Sequence, residues 1–299
     1  MHRNLNFRKT TFFVIISAFL VASSSLVFQA CQKSNDNNLH NGDDQGGYAS
    51  DISRIEWAND DVISIADAVG QVYNGAYMRK SSRGTELGTC CTVGVDTSGG
   101  VNALHTFIIR FGPDDCVCLD GRKRRGTIIV KFRGHYTDTA QLHTISFNGY
   151  NINDNELTGT ITTTRIDTTI AGNWYYRVNS RDSMNVSQDP LNSQFVVWSG
   201  SLVRKWVQGY NGSNTGTSRA DDIFSISGSA LLTRPNGNVF SCNIATPLQF
   251  AMDCNYCESG VVNISGYAGN RILNYGAGTC DAAAQLNIGV HIYQLTLTP

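Results

Sequence analysis

The chain has 299 residues, 23 basic and 24 acidic side chains, and a net charge of −1. A balance this close to zero supplies no basic field for nucleic acid, so nucleic acid is not an expected partner. Charged residues make up only 16% and glycines number 29, a mix that disfavours a helical enzyme core and favours short strands joined by tight turns.

Taken in chain order, residues 1–30 read as an export signal. Arg3, Arg8 and Lys9 give a positive start, Thr10 to Phe28 carry no charge, and small residues Ala22 to Ser25 precede Ala30-Cys31. A basic start, an apolar run and a small residue before the cut define a secretory signal. The apolar run is short for a bilayer span, and Ser23 to Ser25 weaken it further. The segment Val27-Phe28-Gln29-Ala30-Cys31 resembles the end of bacterial lipoprotein signals. Ala30 and Cys31 match that pattern, while Phe28 and Gln29 depart from it. The resemblance implies acylation of Cys31 by palmitate-type chains and a place in the bacterial cell envelope, at the outer membrane on its periplasmic or surface face. Cleavage near Ser24, giving an unanchored secreted protein, and a retained membrane anchor are the rival readings. Residues 31–50 follow as a tether, because Gln32 to Gly47 are rich in Asn, Asp and Gly without an apolar cluster.

Residues 51–299 are read as a single β-rich domain. One helix is expected over 56–77, where Val62, Ile65, Val69, Val72 and Tyr73 recur at spacings of three and four. Asn59, Asp60 and Asp61 are read as lying near its start, where the helix dipole favours carboxylates. Strands follow. His105, Phe107, Ile109 and Phe111 alternate with Thr106, Ile108 and Arg110, and Ile128, Val130 and Phe132 do the same. Further candidates are 141–148, 157–166, 173–179, 194–206, 222–233, 238–245 and 260–267. The last is a run in which Leu286, Ile288, Val290 and Ile292 alternate with Asn287, Gly289 and His291. Period two with one apolar face marks half-buried antiparallel strands. Pro235-Asn236-Gly237-Asn238 is a hairpin turn signal. The fold class is therefore mostly β, an antiparallel sandwich, barrel or long meander of about a dozen strands with one N-terminal helix.

Two short echoes recur. Ile108-Ile109-Arg110-Phe111-Gly112 before Cys116 echoes Ile272-Leu273-Asn274-Tyr275-Gly276 before Cys280, and Leu157-Thr158-Gly159-Thr160 echoes Ile226-Ser227-Gly228-Ser229. Phe111-Gly112 before Cys116, Asp120-Gly121-Arg122, Asp221-Asp222 ahead of Ser227-Gly228, and Tyr275-Gly276 before Cys280-Asp281 resemble a set of uncharacterised exported lipoproteins of Bacteroidota type. The resemblance implies localisation and β character and brings no activity with it.

Nine cysteines are present. With Cys31 assigned to lipid, Cys90, Cys91, Cys116, Cys118, Cys242, Cys254, Cys257 and Cys280 are disulfide candidates, since even cysteines in an exported chain usually pair. The rival is a zinc site from Cys254-x-x-Cys257 and Cys116-x-Cys118, whose second spacing is one residue short for a zinc ribbon. No metal or cofactor is expected. Arg122-Lys123-Arg124-Arg125 reads as a charged hairpin tip, either a solubilising turn or a grip for phosphate or acidic glycan, with Arg122 and Arg124 as the candidate ligands. Trp174, Tyr176, Trp198 and Trp206 lie on candidate strands, where rings either pack the core or form a sugar platform.

No nucleophile and base stand in a recognisable catalytic context. Ser199-Gly200-Ser201 lacks the strained strand-to-helix elbow of a hydrolase nucleophile, and His105, His135, His143 and His291 show no metal-binding spacing. Asp114-Asp115 and Asp221-Asp222 are carboxylate pairs that could serve Ca²⁺ or a glycoside hydrolase, although Asp also favours turns without any function. Asp138-Thr139-Ala140, Asp167-Thr168-Thr169 and Asp182-Ser183-Met184 resemble O-glycosylation sites of Bacteroidota exported proteins. The reading carried forward is a non-enzymatic binding or structural module, held to a membrane through its N-terminal lipid, with a glycan or an envelope protein as partner. The alternative is a secreted glycan-active hydrolase using a carboxylate pair.

Overall fold

The computed structural model describes residues 47–72, 89–96, 98–100, 102–166, 175–186, 194–209, 222–266 and 269–298. Signal, tether and Cys31 lie outside the described residues, apart from residues 47–50. Those four belong to the helix, which runs Gly47–Val72 (α1) and so starts earlier than the expected 56–77; residues 73–77 are not described. Asn59, Asp60 and Asp61 consequently sit in mid-helix, away from the dipole's positive end. No described helix is long and apolar enough to cross a membrane.

Thirteen strands follow: β1 (Thr92–Asp96), β2 (Leu104–Val117), β3 (Lys123–Arg133), β4 (Leu142–Ile152), β5 (Asn155–Ile166), β6 (Tyr175–Asn185), β7 (Phe195–Gln208), β8 (Ile223–Thr233), β9 (Val239–Ala251), β10 (Ser259–Gly266), β11 (Gly269–Ala277), β12 (Ala283–Ile288) and β13 (His291–Thr296). They form one antiparallel sheet in which spatial order follows chain order, and β1 and β13 have no strand pairing to each other. Of the three architectures expected, the sheet is thus a long meander and not a closed barrel.

The expected alternation holds where it was clearest. Phe107, Ile109 and Phe111 of β2 and Ile128, Val130 and Phe132 of β3 are buried, while their neighbours are half-buried or exposed. The 286–292 run is different: it is two strands and a turn. Ile288 pairs with His291, leaving Gly289 and Val290 as a two-residue hairpin with Gly289 at φ 59°. Val290 is 92% exposed at its tip, because an alternating pattern continues through a turn as readily as along a strand.

Most of α1 is buried on every face, including Tyr48, Ile52, Ile55, Trp57, Val62, Ile65 and Val69. Its partners come from widely separated strands: Asp61 meets Arg124 of β3, Asp60 meets Arg204 of β7, Tyr48 stacks on Phe240 of β9, and Arg54 reaches Thr298 near the chain's end. A helix buried all round by one sheet requires that the sheet curl about it. Curvature is served by close strand approaches such as those at Gly159 and Gly228. Each has positive φ, and a side chain at either would press within 2.5 Å of the neighbouring strand's carbonyl oxygen. Both glycines belong to the echoed Leu157 and Ile226 segments.

Candidate functional site

The surface between α1 and the sheet carries an unusual number of charges. Arg124 and Arg204 are fully buried, and both rank among the largest enclosed side chains. Alternation along 122–125 turns Arg122 and Arg124 toward the helix, where they converge on Asp61 at 2.5 and 2.7 Å. Asp120 closes the cluster at 2.7 Å from Arg124. Arg122 also donates to the Cys254 carbonyl at 2.9 Å and lies over the Trp57 ring at 4.8 Å. Burial works to raise the Asp61 carboxyl, but Arg124 and Arg122 outweigh it and hold the group below the usual carboxylate range. For Arg124, burial opposes the charge and Asp61 more than restores it. The expectation of an exposed basic tip is corrected for these two residues: they are structural ion-pair partners, sealed from solvent. Arg125 is half-buried and pairs with Asp115 at 2.6 Å.

A second cluster repeats the logic. Arg204 binds Asp60 at 2.5 Å, Asp67 at 3.3 Å and the Ser64 hydroxyl at 2.6 Å, with its guanidinium 3.3 Å from the Phe224 ring centroid. Tyr136 donates to Asp67 at 3.0 Å, and Arg234 pairs with Asp51 at 3.0 Å. Paired buried charges add little net stability yet penalise any packing that separates them. Turning or withdrawing the helix would strand these charges without partners.

Beside Arg204 a cavity of about 20 Å³ is lined by Glu56, Asn59, Ser180, Leu202 and Phe250, among others. Glu56 Oε2, both polar atoms of the Asn59 amide, the Ser180 hydroxyl and both Asp182 oxygens lack hydrogen-bond partners at ordinary geometry. Burial pushes the Glu56 carboxyl up to about 8 and Asp182 up to about 7, the latter partly opposed by nearby Asn59 and Ser180. Glu56 is therefore largely protonated near neutral pH, and Asp182 is protonated in about half of the molecules. Burial also lowers His143 to about 4, keeping it neutral.

Of the eight cysteines, two pairs are bonded: Cys90–Cys116 and Cys254–Cys280, each with a sequence separation of 26. The echoed Phe-Gly-x-x-x-Cys and Tyr-Gly-x-x-x-Cys turns thus end in equivalent cross-links. Cys91, Cys118, Cys242 and Cys257 are free thiols, which corrects the expectation of full pairing. Cys118, Cys242 and Cys257 are buried, and burial raises all three and lifts half-buried Cys91 to about 11, so none is poised as a thiolate. The paired knuckles of a zinc ribbon do not form, because Cys116 and Cys254 have other partners. Cys254, Glu258 and Cys280 are the one group of potential metal ligands among the described residues, and two of its sulfurs are already joined.

Strand alternation places the candidate aromatics inside. Tyr176, Trp198 and Trp206 are buried, with Trp206 against Phe224 at 5.5 Å, so none offers a ring face to an outside sugar. Trp174 lies outside the described residues. Asp222 is buried, and Asp221 lies outside the described residues. Thr139 of the first glycosylation-like motif is exposed, whereas Asp182-Ser183-Met184 lies within the last residues of β6; residues 167–169 are not described.

One feature carried no sequence signal. An open groove of about 360 Å³ lies along β11, β12 and β13, lined by Asn274, Gly276, Thr279, Asp281, Gln285 and Gln294, among others. Asp281 is its single carboxylate, so the facing pair that a glycoside hydrolase needs is not present there. No protein-family model, characterised protein or solved structure matches this chain.

Proposed function

We propose that this chain is an exported lipoprotein of the bacterial cell envelope, anchored through Cys31, whose β-rich domain acts as a non-enzymatic binding or structural module. The observation that carries the reading is the export signal ending at Ala30-Cys31. Two disulfides are consistent with an oxidising compartment. The buried arginines Arg124 and Arg204 are engaged with helix carboxylates Asp61 and Asp60, and Tyr176, Trp198 and Trp206 are packed inside, which supports a scaffold reading. Expression in a bacterium fed radiolabelled palmitate tests the anchor. The wild-type chain is expected to carry label and fractionate with membranes, and Cys31→Ala to lose both properties. An unlabelled wild-type chain cut near Ser24 would refute the anchor.

A further inference from the structure

The groove on β11–β13 has the makings of a ligand site that neither the disulfides nor the ion pairs explain. Strand register sets Asn274 opposite Gln285, and Gln285 opposite Gln294. Neighbouring strands lie ~4.8 Å apart, so three carboxamides stand in a comb across three strands. A carboxamide both donates and accepts, the pairing a hydroxyl group requires. Asn274 Oδ1 already accepts from the Gly276 amide at 2.9 Å, which leaves its NH₂ as a donor for a ligand. Asp281 Oδ1 accepts from the Ala283 amide at 2.8 Å, which leaves Oδ2 to accept from a hydroxyl. No lysine or arginine lines the groove, so it offers nothing to balance an anion.

Two residues along the same faces, Ile272, Asn287 and Ile292 form the adjacent register row. Ile272 is 42% and Ile292 61% exposed, an apolar strip beside the amide comb. A pyranose has this division, with hydroxyls around its rim and C–H groups on its face. The groove's volume falls in the range of small-ligand sites. Its rim is held before any ligand arrives: the Cys254–Cys280 disulfide pins the loop, Gly278 donates to the Glu258 carbonyl at 3.0 Å, and Leu297 donates to the Ala282 carbonyl at 2.7 Å. A fixed rim lowers the ordering cost of binding.

We infer that this groove binds a neutral glycan terminus, with Asn274, Gln285, Gln294 and Asp281 contacting its hydroxyls. The inference rests on the binding-module half of the proposed function and is independent of the lipid. The test applies the full chain, purified from an expressing bacterium and fluorescently labelled, to an array of neutral and acidic glycans, beside the double variant Gln285→Ala, Gln294→Ala. Wild type is expected to bind neutral structures, and the variant to bind them about tenfold or more weakly. Equal thermal melting of the two proteins checks that the fold is intact, as both side chains are exposed. An array without binding, a preference for acidic glycans, or equal binding by the variant would each overturn the inference. A chain that binds sugars but carries no lipid would refute only the anchor.

Discussion

Two regions of one sheet handle polar side chains in opposite ways. Around β3, β7 and α1 they are charged, buried and paired, as with Arg124–Asp61 and Arg204–Asp60. At the groove on β11–β13 they are mainly uncharged amides, Asn274, Gln285 and Gln294, with Asp281 beside them. The contrast teaches that a formal charge in a sequence is a poor guide to outside partners. In a water-poor interior a charge survives only beside its counterion, so conspicuous arginines can be internal fasteners. Apart from Asp281, the side chains left for an external ligand here are amides with no charge to draw attention.

The largest expected effect comes from breaking the charged region. Asp61→Ala leaves Arg122 and Arg124 buried with Asp120 as their one remaining carboxylate partner, and urea unfolding should show a loss of about 3 kcal/mol. A loss under about 1 kcal/mol would mean that water reaches the cluster and that the contrast is overstated. Next is the link between the regions: replacing Cys254 and Cys280 together by Ala removes a 26-residue cross-link. That change should cost about 3 kcal/mol and weaken whatever the groove binds, measured by denaturation and binding on the same sample. Unaltered stability would show that the disulfide merely decorates the rim.

A subtler probe is pH. Glu56 at about 8 and Asp182 at about 7 keep protons in the folded state that the unfolded chain releases near its ordinary carboxyl values. The unfolded state then binds fewer protons, so stability falls as pH rises through that interval and levels off above about 8. His143, held at about 4, acts oppositely: stability is lost as pH falls from its ordinary 6.5 toward 4. Between pH 6.5 and 8 the two acids outweigh what remains of the opposing His143 contribution, so melting temperature should decline there, and Glu56→Gln should flatten the decline. An unchanged slope in Glu56→Gln would remove Glu56 from this account. Smallest of all, Val290→Thr at the exposed β12–β13 hairpin tip should shift stability by no more than about 0.5 kcal/mol, as judged by thermal melting. A larger loss would place that tip in a packed contact.

The features readable from neighbouring residues are local and periodic. The β character, most strand positions and the Asn236-Gly237 turn were legible because alternation and turn chemistry act over a few neighbouring residues. The helix was legible in its apolar spacing but not at its start, since the Asn- and Gly-rich stretch before it reads as tether. Arg122 and Arg124 were misread because their partner Asp61 is some sixty residues away; a hint lay in their alternation with Lys123 and Arg125, which turns one pair inward. Trp198 and Trp206 could be core or platform until the sheet's inner face was known. Which cysteines meet came from the tertiary fold: the bonded pairs have Cα atoms 5.5 and 5.7 Å apart, a closeness that chain spacing does not encode. That fold also decided the groove, for Asn274, Gln285 and Gln294 become neighbours through strand register. Register is settled by the collective burial of a whole face, a property no short window of sequence contains.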